Sequence, residues 1–348
     1  MRGLRQEAVQ EGSGETLIIT RTPFRISFFG GGTDYPAWYE EHGGVVLATS
    51  IDKYCYISCR HLPPFFEHKH RIVYSLIENV REIAEIKHPA VRALLDWSKV
   101  KEGLEIHYDG DLPARSGLGS SSSFTVGLVH ALSALQGRYI SKEKLASSAI
   151  HIEQKIIQEN VGSQDQISAA FGSFNRIEFY PNGTFQVTPV ILPAGRITSL
   201  QNHLMLCFTG FSRIASEVAK SKIDNMKSRK AELKRMREMV DEALAILQDP
   251  QTSLDEFGKL MDESWKYKRS LSDRVSTPEI DALYSAAIDA GAVGGKILGA
   301  GGGGFLLLIV RPELQERVRD RLRRLVHVPF QFEDSGSRVV LYQPNGMS

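Results

Sequence analysis

The chain has 348 residues, 42% hydrophobic and 24% charged, with 42 Lys and Arg against 41 Asp and Glu. At roughly 150 residues per domain this length predicts two packed halves, and the composition excludes wholesale disorder, a collagen-like repeat and a disulfide miniprotein. A formal charge of +1 leaves no global field to recruit nucleic acid or an anionic membrane, so any basic site must be local. Cys55, Cys59 and Cys207 form an odd set with neither a disulfide framework nor zinc spacing, which suits a reducing, cytoplasmic setting. The N-terminal MRGLRQEAVQEGSGE holds no signal-like apolar stretch, and the longest apolar run, Phe305 to Val310, is far short of a membrane span. Neither export nor a membrane partner is expected.

In chain order, Leu17 to Phe29 (LIITRTPFRISFF) is β-branched and aromatic and stops at Gly30-Gly31-Gly32, a strand followed by a tight loop. Val45 to Cys59 and Leu104 to Tyr108 read as further strands, with Cys55 and Cys59 on one face of the former. After DLPARSGLGSSSS, Phe124, Leu128, Ala131, Leu132 and Leu135 recur at helical spacing until Gly137. A second helix is expected over roughly Lys142 to Gln158, and FGSFNRIEF with Asn182-Gly183 beyond it reads as a β-hairpin. The segment PVILPAG, Pro189 to Gly195, marks the approach to a boundary dividing residues 17–193 from 194–345.

Beyond it, His203 to Thr209 reads as a strand and Ala215 to Leu247 as one or two helices with Ile223, Met226, Leu233, Met236, Val240, Leu244 and Leu247 inward. Ser253 to Glu256 fits a capping box, Thr277-Pro278 opens another helix, and LGAGGGGFLLLIV is a glycine loop leading into a buried strand. Lys220, Lys222, Lys227, Arg229, Lys230, Lys234, Arg235 and Arg237 are interleaved with acidic residues and lack aromatic partners. They read as a solvated helix face, not a nucleic-acid site. His61, His68 and His70 fall in HLPPFFEHKHR, which reads as an exposed loop with no expected metal.

Three glycine segments carry the chemical signal. In PARSGLGSSSS (113–123), Gly117 and Gly119 allow close backbone approach, and the serines place amides and hydroxyls at a helix start, where the dipole favours a phosphate. It is neither a Walker A motif nor GxGxxG. The loop Gly30 to Gly32 departs from the dinucleotide fingerprint, because Tyr35 and Pro36 stand where the helix-packing glycine belongs; it presents Asp34, a carboxylate suited to vicinal sugar hydroxyls. In Gly299 to Gly304, four consecutive glycines imply close approach to a ligand or to another loop. Asp165, in GSQDQ, stands among polar residues ahead of the apolar ISAAFG.

Taken together and in order, TPFRISFFGGGTDY (22–35), PARSGLGSSSS (113–123) and KILGAGGGGF (296–305) resemble the three signature motifs of the GHMP kinase superfamily over about residues 17 to 345. FFGGGTDYPAWY, VLATSIDKY and VGSQDQISAAFGSF look most like its D-glycero-D-manno-heptose 7-phosphate kinase branch, which phosphorylates the anomeric C1 hydroxyl. The resemblance implies an α+β, two-domain fold with the active site in the cleft between the domains, and ATP and Mg²⁺ as cofactors. It places ATP on Pro113, Ser116, Gly117, Leu118, Gly119, Ser120, Ser121 and Ser122, with Ser121 and Glu153 as metal ligands. It makes Asp165 the catalytic base with Arg25 beside it. A sugar or sugar phosphate then falls on Gly32, Thr33, Asp34, Tyr35, Gly301 and Gly302, with a distal phosphate on Arg213 first and Lys268 or Lys53 next. The competing readings are a kinase for a free sugar (fucose, galactose or uronic acid type) or a non-sugar alcohol, and a non-catalytic sensor on the same scaffold. The oligomeric state is left open.

Overall fold

A computed structural model describes residues 16–63, 65–114, 116–210 and 215–344. The first half runs β1 (Leu17–Phe29), α1 (Pro36–His42), β2 (Gly44–His61), β3 (His70–Val73), β4 (Ile77–Val80), α2 (Pro89–Ser98), β5 (Leu104–Gly110), α3 (Ser120–Leu135), α4 (Lys142–His151), α5 (Gln164–Phe171), β6 (Phe174–Phe179) and β7 (Phe185–Pro189). The second continues with α6 (Ala194–His203), β8 (Leu204–Phe208), α7 (Ala215–Asn225), α8 (Lys230–Gln248), α9 (Leu254–Ser270), α10 (Pro278–Ala290), β9 (Ala292–Ile297), β10 (Phe305–Val310) and α11 (Gln315–Arg321). Three short strands close the chain: β11 (Val326–His327), β12 (Phe332–Glu333) and β13 (Arg338–Gln343).

Among the described residues the strands form two sheets. One has nine strands, in the order β13-β1-β2-β5-β3-β4 with β6, β7 and β12 joined through β2; the other is β11-β8-β10-β9. The long β2 serves two partners in turn, Gly44 to Thr49 against β6 and Cys55 to His61 against β5. The ladder between β1 and β2 shifts register after Pro23, which has no N–H to donate. Helix α3, apolar nearly all round, lies on β1 and β2. Gly127 permits that approach, since a Cβ there would stand 2.9 Å from the Thr22 hydroxyl.

Helix α8 buries Leu233, Met236, Met239, Val240, Ala243 and Leu247, a stripe at helical spacing. Phe257 of α9 meets Phe28 and Phe29 of β1 edge-to-face, with centroids 5.6 and 5.1 Å apart, so one apolar core runs through both halves.

Four expectations need correction. The span 194–345 is not one folded unit, because β12 pairs with β2 and β13 with β1 and the chain's end completes the first sheet. The capping box is half formed: Ser253 accepts from the Asp255 N–H at 3.2 Å, while Glu256 turns to Lys259. The expected helix over 142–158 ends as α4 at His151 and continues as a π-helical turn, Ile152–Ile156. His70 is buried on β3, its ring accepting from the Leu104 N–H at 3.3 Å.

Candidate active site

The glycine loop builds one wall of the site from backbone alone. Gly117 and Gly119 have φ of +88° and +76°, and Gly119 starts α3 without any side-chain cap. No side chain caps the first turn of α3, which is the positive end of the helix dipole. Gly299 packs on this loop so closely that a Cβ there would stand 2.5 Å from Gly117 Cα, and one on Gly304 would stand 2.2 Å from the Ser116 carbonyl. The third glycine segment thus approaches another loop.

These elements enclose a cavity of about 740 Å³. Gly117, Gly119, Ser120, Ser121 and Ser122 line it, together with Gly299 and Ala300. Gly32, Asp34 and Tyr35 line the deep end, and Tyr74, His88, Tyr108 and Phe124 give the other end an aromatic wall. Pro113, Ser116 and Leu118 are not on the lining; Leu118 is fully buried in the core, and the Ser116 carbonyl accepts from the Phe305 N–H at 3.2 Å. Gly301 and Gly302 likewise pack on Val275, whose carbonyl accepts from the Gly302 N–H at 2.8 Å.

Arg25 on β1 and Asp165 on α5, 140 residues apart, meet at the loop. Nε and Nη2 of Arg25 each donate to an Asp165 carboxylate oxygen at 2.8 Å, and Nη1 donates to the Gly117 carbonyl at 2.7 Å. The guanidinium is almost completely buried, while the carboxylate is one-quarter exposed toward the cavity. This fork fixes the orientation of Asp165 and ties it to the loop in one contact.

Asp34 differs from its expected exposed setting. It is 1% exposed, its Oδ1 accepts from the Gly32 N–H at 2.8 Å, and a Cβ on Gly162 would stand 1.9 Å from Oδ2. Burial pushes its pKa above the ordinary carboxylate value. Thr33 turns away from the cavity, its hydroxyl lying 2.8 Å from the Gly30 carbonyl and 3.0 Å from that of Val45, so it closes the turn.

Glu153 sits on the π-helical turn, a device common at functional sites. Its Oε2 accepts from the Ser122 hydroxyl at 2.9 Å and from Gln166, while Oε1 is buried with no hydrogen-bond partner among the described residues. Burial raises its pKa to about 7. An orphaned carboxylate oxygen behind the serine loop fits a divalent cation. Ser122, not Ser121, is the serine bonded to Glu153; Ser121 opens to the cavity.

Of the expected phosphate-holding cations, Lys268 lines the cavity, Lys53 pairs with Asp52 outside it, and Arg213 lies outside the described residues. Sequence reading missed Lys222 and Lys296, both on the cavity wall. Lys222, taken for part of a solvated face, is 5% exposed. A signal existed: Val218, Ala219, Lys222 and Met226 share one helical stripe whose other members are apolar. Lys296 likewise interrupts an otherwise uncharged strand, β9.

A helix start with no side-chain cap above a carboxylate held by an arginine fork, in a cleft rich in cations, defines a phosphoryl-transfer site. The description "GHMP kinases N terminal domain" matches residues 78–173 and "GHMP kinases C terminal" matches residues 242–328, and the chain belongs to the GHMP kinase family. It is a phosphotransferase of that family, whose members use ATP as phosphate donor.

The chain is 29% identical over 319 residues, 88% of its length and 93% of the relative's, to a D-glycero-alpha-D-manno-heptose 7-phosphate kinase of Campylobacter jejuni. It is 27% identical over 249 residues, 69% of each chain, to a mevalonate kinase of Pyrococcus horikoshii. The crystal structure of a D-glycero-D-manno-heptose 1-phosphate kinase from Bacteroides thetaiotaomicron shares the fold, with a TM-score of 0.74 at 22% identity over 92% of this chain and 97% of that one. No helix among the described residues is long and apolar enough to cross a membrane.

Proposed function

We propose that this protein transfers the γ-phosphate of ATP to the anomeric C1 hydroxyl of a sugar phosphate, D-glycero-D-manno-heptose 7-phosphate first, in the cytoplasm. The carrying observation is the Arg25–Asp165 fork bonded directly to the glycine loop at Gly117. The similarity across nearly the whole chain to the Campylobacter jejuni heptose 7-phosphate kinase supports the substrate class.

The chemistry follows from positioning. Nucleotide phosphates lie against the amides of Gly119 to Ser122, and the base lies against the aromatic wall that Tyr74, His88, Tyr108 and Phe124 form by packing on one another. Ser121 and Glu153 would hold Mg²⁺, which would neutralise charge on the phosphates. Asp165 accepts the proton of the attacking hydroxyl, an easier task at an anomeric hydroxyl than at an ordinary alcohol. Arg25 fixes Asp165 and stabilises charge on the transferring oxygens. Asp34 and Tyr35 hold the sugar at the deep end, beside lysines that line the same cavity.

A coupled ADP-release screen over heptose 7-phosphate, fucose, galactose, galacturonate and mevalonate tests the reading. Heptose 7-phosphate should give the highest kcat/KM. A higher value for a free sugar or for mevalonate overturns the substrate, and no turnover with any of the five leaves a binding-only sensor.

A further inference from the structure

Three lysines from the second half converge on the deep end of the cavity, each nearly buried and each with N–H groups to spare. Lys268 donates to the Ile297 and Gly299 carbonyls, both at 2.7 Å, and Lys296 donates to the Phe28 carbonyl at 2.8 Å. Lys222 makes no hydrogen bond among the described residues; its Nζ lies 5.3 Å from the centroid of the Tyr35 ring. An ammonium carries three protons, so one remains on Lys268, two on Lys296 and three on Lys222.

The charges here do not balance. Arg25 and Asp165 satisfy each other, which leaves Asp34 as the carboxylate acting on all three ammoniums. Tyr35, the other titratable group at this end, is neutral because burial raises its pKa. With all three lysines protonated, three cations face one anion, a deficit of two negative charges, and buried cations without counter-charge are costly. The lysines also come from α7, α9 and β9, elements other than the α3 start that faces the nucleotide phosphates, with Lys268 reaching the Gly299 carbonyl beside that loop.

We propose that Lys222, Lys268 and Lys296 form a subsite for a dianion of the phosphomonoester class carried by the acceptor, separate from the groove for the nucleotide phosphates. The inference rests on the kinase reading above and assigns the acceptor's non-reacting phosphate to these lysines. A phosphomonoester carries a charge of about −1.5 to −2 at pH 7 and offers three acceptor oxygens, which matches both the charge deficit and the spare N–H groups. Burial lowers the pKa of Lys222 to about 8 and of Lys296 to about 7, and holds Lys268 well below its ordinary value. Each therefore gains a proton most readily when the dianion arrives.

The test is calorimetric titration of inorganic phosphate into the full-length protein saturated with Mg²⁺ and the non-hydrolysable analogue AMPPNP, so that the nucleotide groove is filled. Wild type should bind phosphate. Lys296→Met and Lys222→Met should each weaken phosphate binding by about 10- to 100-fold, the loss of one charge-assisted contact, with the AMPPNP Kd unchanged within about twofold. Lys222 makes no hydrogen bond among the described residues, so Lys222→Met should not melt below wild type, whereas Lys296→Met leaves the Phe28 carbonyl without its donor and should melt lower; Lys222→Gln supplies a second readout at the position whose fold is undisturbed. Absence of phosphate binding to the filled wild type, unchanged binding in both variants, or a parallel loss of AMPPNP affinity overturns the subsite. The titration needs no turnover, so it separates from the kinase reading: an enzyme that phosphorylates sugars yet binds no phosphate keeps the activity and loses the subsite.

Discussion

Replacing Asp165 by asparagine should lower kcat by about 10²- to 10⁴-fold, the usual contribution of a general base, while leaving ATP binding in place. The wild-type carboxylate takes two 2.8 Å bonds from Arg25, and the same guanidinium holds the Gly117 carbonyl at 2.7 Å. Asparagine keeps one acceptor and turns an amide N–H₂ toward the other guanidinium nitrogen, so one buried N–H loses its partner at a cost of about 1–3 kcal/mol. The melting temperature should fall by roughly 2–8 °C. The Gly117 contact survives, so the nucleotide loop stays tethered and the KM for ATP should move less than about threefold. The assay is steady-state ADP release at saturating acceptor, paired with a thermal melt. A variant retaining kcat within about threefold of wild type would demote Asp165 to a positioning residue. Arg25→Lys separates the two roles, since it keeps the charge but not the fork.

Four further outcomes follow from the same geometry. Glu153→Gln should stabilise the protein at pH 8 by about 1–3 kcal/mol while weakening Mg²⁺: the folded pKa of about 7 lies above the reference 4.5, so relative stability is full below pH 4.5 and lost as pH rises through about 7; equal melting curves for the two proteins at pH 8 refute it. For Glu105 the sign is opposite: burial opposes its charge, but His107, Arg60 and Arg71 hold the pKa at about 2, so its stabilisation is present above pH 4.5 and lost as pH falls toward 2. Acid unfolding of Glu105→Gln over that window should therefore be the shallower. Ser121→Ala should raise the half-saturating Mg²⁺ concentration without changing the melt, whereas Ser122→Ala should lower the melt by breaking its 2.9 Å bond to buried Glu153; an unchanged metal titration removes Ser121 from the ligands. Gly304→Ala should cost at least about 2 kcal/mol by denaturant unfolding, because φ is +92° and the new Cβ would meet the Ser116 carbonyl at 2.2 Å.

What the sequence by itself determined is what depends on neighbours along the chain. Strand β1 ends at Phe29 and strand β10 spans Phe305–Val310 where their composition ends them, and α3 starts at Ser120 because two positive-φ glycines precede it. Turn chemistry and hydrophobic period are local properties, and the Thr277 cap on α10 with proline at its first position was equally readable. The pairing of Arg25 with Asp165 was anticipated only through the resemblance of separated motifs, since nothing local links residues 140 apart.

Tertiary structure alone decided which charges face water. Asp34 is buried because Gly162, far along the chain, closes over it, and Lys222 is buried because its helix lays an apolar stripe on the cleft. The return of β13 to β1 likewise depends on a ladder between the two ends of the described chain. Burial and charge balance are sums over residues brought together from every part of the chain, and no window of sequence contains that sum.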